Sequence, residues 1–94
     1  MNGQFYKITD ICQSYKVETT FIYDLHAHGL IEIHYIESQE YLLEEQLAQV
    51  EKYYTWHHEL ELNIPALDIV EQLLLKISDL QEKVKRLSHK KEKL

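Results

Sequence analysis

Six histidines and one cysteine are the residues of this 94-residue chain whose types first suggest chemistry. His26 and His28 are two apart, so on a helix they point to different sides, and adjacent His57 and His58 diverge as well. His57 and Glu61 share a helical face at i, i+4, but two ligands do not close a metal site. Cys12 sits in the amphipathic run Ile8-Thr9-Asp10-Ile11-Cys12 with no cationic neighbour to activate it, so it reads as a packing residue. A lone cysteine also forms no internal disulfide, which fits a reducing cytoplasm. No nucleophile stands beside a base, and no acid pair suggests split roles. Gly3 and Gly29 are the only glycines, too few for a phosphate-binding loop. The sequence therefore predicts no metal, no cofactor and no enzymatic reaction.

Charge is more informative. The net charge is −6, but residues 1–64 hold three lysines (Lys7, Lys16, Lys52) against eleven acids, whereas residues 65–94 hold seven bases and five acids. From Val17 to Glu51 there are eight acids and not one Lys or Arg. No stretch approaches the ~18 apolar residues of a membrane span, and Met1-Asn2-Gly3-Gln4 lacks the layout of a signal peptide. A cytoplasmic protein with no membrane association is expected.

The elements that carry these acids follow from periodicity. Thr9 or Asp10 is expected to cap a short first helix, with Gln13 in a capping-box position and Ile8, Ile11 and Cys12 on its apolar side. Lys16-Val17 reads as a tight turn. A second helix is predicted from about Glu18 to His28, apolar at Phe21, Ile22 and Leu25, and ended by Gly29 in the left-handed position. Two short helices so joined make a helix-turn-helix. Leu30 to Ile36 alternates apolar Ile31, Ile33 and Tyr35 with Glu32 and His34, the period of a half-buried strand. Glu37-Ser38-Gln39 is turn-like and Glu40-Tyr41-Leu42 can pair back, giving a small hairpin wing. A third helix is predicted from about Leu43 to Leu62, apolar at Leu47, Val50, Tyr54 and Leu60, with Tyr53, Tyr54 and Trp56 as core and dimer packing. Asn63-Ile64-Pro65 breaks it, and Pro65 suits the first turn of a fourth helix reaching towards Lys93. In that helix Val70, Leu73, Ile77, Leu80, Val84 and Leu87 are spaced 3, 4, 3, 4, 3, which is a coiled-coil seam. A homodimer is expected through it, in an orientation the spacing leaves open.

The fold class expected is thus mainly α: a winged helix-turn-helix over residues 1–63, with a small β-hairpin wing, and a long C-terminal coiled-coil dimerisation helix over residues 64–94. That order of elements, and the segment from Val17 to Ile31 in particular, resembles the MerR-like winged-helix superfamily. The second half, Trp56-His57-His58-Glu59-Leu60-Glu61-Leu62-Asn63-Ile64-Pro65-Ala66-Leu67 running into Ile69-Val70-Glu71-Gln72-Leu73-Leu74, resembles one branch, the CbpM-type chaperone modulators. The branch often has glycine where Ala66 stands, and a helix accepts alanine readily. This resemblance implies binding to the J-domain of a DnaJ- or CbpA-like co-chaperone and restraint of its activity.

The residues bear on that implication independently. DNA binding draws most of its affinity from Lys and Arg on phosphates, and base readout leans on the same side chains. Here the second helix offers Glu18, Thr20, Tyr23 and Asp24, and the wing offers Glu32, Glu37 and Glu40. DNA binding through this face is not expected, although a MerR-like transcriptional regulator is the alternative that the fold invites. The same carboxylates around tyrosines suit a basic protein surface. Glu18, Tyr23, Asp24, Glu32 and Glu37 are the partner-binding candidates; the other reading of each acid is an ordinary solvated side chain. The basic tail, Lys83, Lys85, Arg86, Lys90, Lys91 and Lys93, reads as a solvated coiled-coil face.

Overall fold

A computed structural model describes the backbone of residues 3–92 and the side chains of residues 3–89; the ends of the chain, including Met1-Asn2 and the Lys90, Lys91 and Lys93 side chains of the basic tail, lie outside the described residues. The order of elements is β1 (Phe5–Lys7), α1 (Ile8–Tyr15), α2 (Thr19–Ala27), β2 (His34–Ile36), β3 (Gln39–Leu43), α3 (Glu44–Glu59) and α4 (Ile64–Glu92). It is a winged helix-turn-helix with a long C-terminal helix.

The first strand was not legible in the sequence. Phe5-Tyr6-Lys7 pairs antiparallel with β3, Phe5 opposite Leu43 and Lys7 opposite Tyr41, and the Glu44 N–H donates to the Gln4 carbonyl at 2.8 Å. Three residues give no periodicity to read. Because β1 runs straight into α1, the helix starts at Ile8 after Lys7, earlier than the Thr9 or Asp10 start expected, and no side chain caps it. Its other end matches the expected turn: Lys16 is left-handed (φ 57), and the N–H of Val17 reaches back to the Cys12 carbonyl at 3.1 Å.

At the end of α2, Gly29 adopts φ 74, its N–H donates to the His26 carbonyl at 2.9 Å, and the Leu30 N–H donates to the Leu25 carbonyl at 2.9 Å. This is the Schellman arrangement, which satisfies carbonyls otherwise orphaned at a helix end and turns the chain sharply. Ile31 and Ile33 then reach the core as expected, but from an irregular segment; β2 is confined to His34–Ile36. Tyr35, expected to alternate inward, is exposed. The hairpin closes through two residues, Glu37 and Ser38, both at positive φ (50 and 68), with Ile36 opposite Gln39 and Tyr35 opposite Glu40. Two-residue loops of this hand match the twist of the strands they join.

The core is made by Ile8, Ile11, Val17, Ile22, Leu25, Ile31, Ile33, Leu42, Val50, Tyr53 and Leu67. Two expected apolar positions in α3 move: Tyr53 rather than Tyr54 is the fully buried tyrosine, and Leu60 is exposed beyond the helix end. The chain leaves α3 through Glu61, left-handed at φ 55, and His57 Nδ1 stands 2.6 Å from the Leu62 carbonyl oxygen. A carbonyl only accepts, so Nδ1 is the donor. Asn63 then caps α4, its side-chain oxygen accepting the Ala66 N–H at 2.9 Å.

Completely buried Leu67 ties the first turns of α4 into the core, and Glu71 adds a second hold one turn later. Lys52 Nζ donates to Glu71 Oε1 at 2.8 Å and lies 4.9 Å from the Tyr53 ring centre and 5.3 Å from that of Trp56. Burial, reinforced by the Glu71 carboxylate, pushes the Tyr53 phenol up to about 12. Beyond Glu71 the body ends, and every described residue from Gln72 to His89 is exposed.

Two stability predictions follow from this geometry. Lys16→Gly removes a side chain from a left-handed position, a relief of ~1–2 kcal/mol partly offset by glycine's greater unfolded freedom. The melting temperature is expected to rise by a few degrees; a fall would mean that the Lys16 side chain packs favourably. The raised Tyr53 value means that the folded form holds its proton more tightly than the unfolded one. The stability this contributes is intact below pH 10 and lost as pH climbs through about 12. Tyr53→Phe should therefore lose less melting temperature than the parent between pH 8 and 11.5, and equal losses would contradict the assignment.

Candidate protein-interaction face

Helix α2 turns Ile22 and Leu25 into the core and leaves Glu18, Thr20, Tyr23 and Asp24 outside. Its N-cap is Glu18, whose side chain does not cap the helix; its carboxylate lies 3.5 Å from the Thr20 hydroxyl instead. Asp24 is exposed near the helix C-terminus, where its backbone carbonyl accepts the His28 N–H at 3.1 Å. Glu32 stands in the segment between α2 and the wing. Its N–H donates to Gln46 Oε1 at 3.0 Å, and its carboxylate is 3.8 Å from His34 Nε2. Glu37 occupies the tip of the hairpin.

The candidates are all exposed, and one contact ties a candidate to a second element. The Tyr23 hydroxyl donates a hydrogen bond to Glu40 Oε1, joining α2 to the wing. That bond foremost, with some burial and the Glu40 charge behind it, raises the Tyr23 phenol above its ordinary value. Tyr35 sits directly opposite Glu40 in the strand ladder, so both side chains leave the same face of the hairpin. Glu40 is therefore the residue that binds the two halves of this face together, a role its position among the wing acids did not reveal. The signal that could have found it is the two-residue turn, which sets Tyr35 and Glu40 in register.

Cations are the missing ingredient. Between Lys16 and Lys76 the sequence holds one basic residue, Lys52, and it is spent on Glu71 at the α3–α4 corner. Among the described residues, none of Glu18, Asp24, Glu32, Glu37 or Glu40 has a Lys or Arg within ion-pair distance.

Three of the six histidines face backbone carbonyls. Besides His57, the Nδ1 atoms of His26 and His28 stand 3.3 and 3.1 Å from the Ile31 and Asp24 carbonyl oxygens. Among the described residues no three His, Cys, Asp or Glu converge as a metal site. Cys12 is half-buried, and burial pushes its thiol up, away from reactivity.

The seam residues lie on one side of α4. Val70 is partly covered where the helix meets the body, while Leu73, Ile77, Leu80, Val84 and Leu87 are between 49 % and 64 % exposed. Ile69 and Leu74 widen the same apolar side. Among the described residues no helix is long and apolar enough to cross a membrane.

Comparison with known proteins agrees with this arrangement. No curated protein matches the chain. Residues 6–89, from the second residue of β1 to the end of the described side chains, match the family described as MerR HTH family regulatory protein. A helix-turn-helix, a wing and a long terminal helix in this order are thus family features, and the chain belongs to the MerR HTH family of regulatory proteins.

Proposed function

We propose that this chain is a protein-binding member of its family: a homodimer whose acidic winged-helix face takes the basic helix of a J-domain and restrains that co-chaperone. The observation that carries the reading is the absence of any Lys or Arg from Val17 to Glu51, the stretch that builds α2 and the wing. A duplex presents about one negative charge per 1.7 Å, so this face meets DNA with repulsion where a DNA reader gains most of its affinity. A basic polypeptide meets the same field as attraction, with faster encounter and discrimination against acidic partners. The CbpM-like stretch Trp56–Leu67 supports the choice of a J-domain among basic surfaces.

The bare side of α4 supports dimerisation. Covering a seam side chain fully is worth ~1.5–3 kcal/mol before ordering costs, and this helix leaves five of them half-bare. Charge favours antiparallel pairing. In the sequence, residues 64–79 carry Asp68, Glu71 and Asp79 against Lys76, while residues 80–94 carry Lys83, Lys85, Arg86, Lys90, Lys91 and Lys93 against Glu82 and Glu92. Antiparallel packing sets the acidic start of one helix against the basic end of the other.

The second reading is a DNA-binding transcriptional regulator, favoured by the family match over residues 6–89. A low-salt gel-shift series decides for it if a sequence-selective shift appears.

Two experiments test the proposal. Calorimetric titration with a purified J-domain should show saturable binding that weakens with added salt, and Glu18→Lys with Asp24→Lys should weaken it about tenfold or more. Unchanged affinity in that double variant places the interface elsewhere, and no binding at all removes the reading. Separately, Ile77→Asp with Leu80→Asp should convert a dimer to a monomer in analytical ultracentrifugation; a dimer that survives both charges is not held by this seam.

A further inference from the structure

We propose that Glu40, Tyr23 and Tyr35 form a socket for one arginine side chain of a protein partner. The inference rests on the protein-binding reading above and names the chemistry that the face selects.

The hairpin face that covers the core at Leu42 continues outward through Glu40 and Tyr35, because residues two apart on a strand and directly opposite across a ladder share a face. Past the edge of the core this face meets α2 at Tyr23. The result is a carboxylate held between two tyrosines that come from different elements. Tyr23 is 41 % and Tyr35 65 % exposed, so both rings are open to solvent. Neither belongs to an aromatic pair among the described residues, so the ring faces are not consumed by stacking.

The carboxylate itself is half-used. Its Oε1 accepts from Tyr23, which fixes the side chain in place. Each carboxylate oxygen has two acceptor positions, so Oε2 and the remaining lone pair on Oε1 stay available. Among the described residues no Lys or Arg forms an ion pair with Glu40, although Lys7 of β1 borders the same hollow as Tyr35 and Glu40. A partly covered carboxylate in no ion pair, beside two open ring faces, is what a planar guanidinium complements. It can donate two parallel hydrogen bonds to the oxygens while its plane stacks on a tyrosine. An ammonium offers the charge without the plane. The surrounding field, from Glu37 at the hairpin tip to Asp24 on α2, concentrates cations at the same place.

Glu40 differs from the other acids of the face in that a side chain from another element positions it before a partner arrives. An exposed carboxylate such as Glu51 gives up side-chain freedom to form an ion pair, and such pairs are worth little. Glu40 has given up that freedom to Tyr23 in the free protein.

The test uses the full chain and two probes. N-acetyl-arginine amide and N-acetyl-lysine amide are titrated separately while NMR follows the tyrosine ring resonances. The arginine compound should move Tyr23 and Tyr35 first, the lysine compound at least severalfold less, and Glu40→Gln should abolish the response while keeping the parent's melting temperature within a few degrees. Equal responses to both compounds, or an undiminished response in Glu40→Gln, overturn the socket. In parallel, Glu40→Gln should weaken a J-domain about tenfold or more, whereas Glu51→Gln should change it less than about twofold. A J-domain that binds Glu40→Gln as well as the parent sinks the socket and leaves the modulator reading standing. A local response to arginine without any J-domain binding does the reverse.

Discussion

The α3–α4 corner is held by one cation serving three neighbours. Lys52 bonds to Glu71 and lies against the rings of Tyr53 and Trp56, while the buried phenol of Tyr53 stands beside the same carboxylate. With side chains only 33 % and 22 % exposed, Lys52 and Glu71 are partly withdrawn from water, and removal of either would leave the other charge poorly solvated. Around this pair, Leu67 plugs the core, Asn63 caps the helix and His57 holds the linker. The direction in which α4 leaves the body depends on these contacts acting together.

The corner also explains a division of labour along the chain. The residues that most resemble the CbpM branch, Trp56 to Leu67, build the corner and not the acidic face. Asn63 caps, Pro65 fills a first-turn position that needs no N–H, and Leu67 packs. Resemblance of this kind identifies a way of setting a helix on a body. The acids of the proposed interaction face are other residues, on α2 and the hairpin, where charge and exposure differ from the packed corner. A shared scaffold is compatible with more than one kind of ligand.

What the sequence disclosed follows the same division. Gly29 announced the end of α2 because few other residues accept its backbone angles, and Pro65 announced the start of α4. The acids were legible as a count, since composition needs no geometry. The hairpin turn was blurred because Glu37 and Ser38 occupy positive φ without the Asn or Gly that usually marks such positions. The first strand was invisible because its three residues are defined only by pairing with a strand some 35 positions later. The exchange of Tyr53 for Tyr54 in the core reflects a helix lying between two partners, α4 on one side and α2 on the other. Phe21 of α2 draws Tyr54 and His57 to its own edge, at 5.8 and 5.1 Å between ring centres. A single apolar stripe cannot express two such demands. The contact of Tyr23 with Glu40 was hidden for a related reason: it joins elements 17 residues apart that no local pattern connects.

The unsupported reach of α4 turns the corner into a pivot. From Glu71 to Leu87 the helix extends about 24 Å with nothing from its own body beside it, so a tilt of only 10° at the base carries the tip through an arc of about 4 Å. That displacement approaches one full helical turn. Small repacking around Lys52 is magnified along a rigid rod, so the reach of the helix tip is set by an angle among a handful of side chains near Trp56.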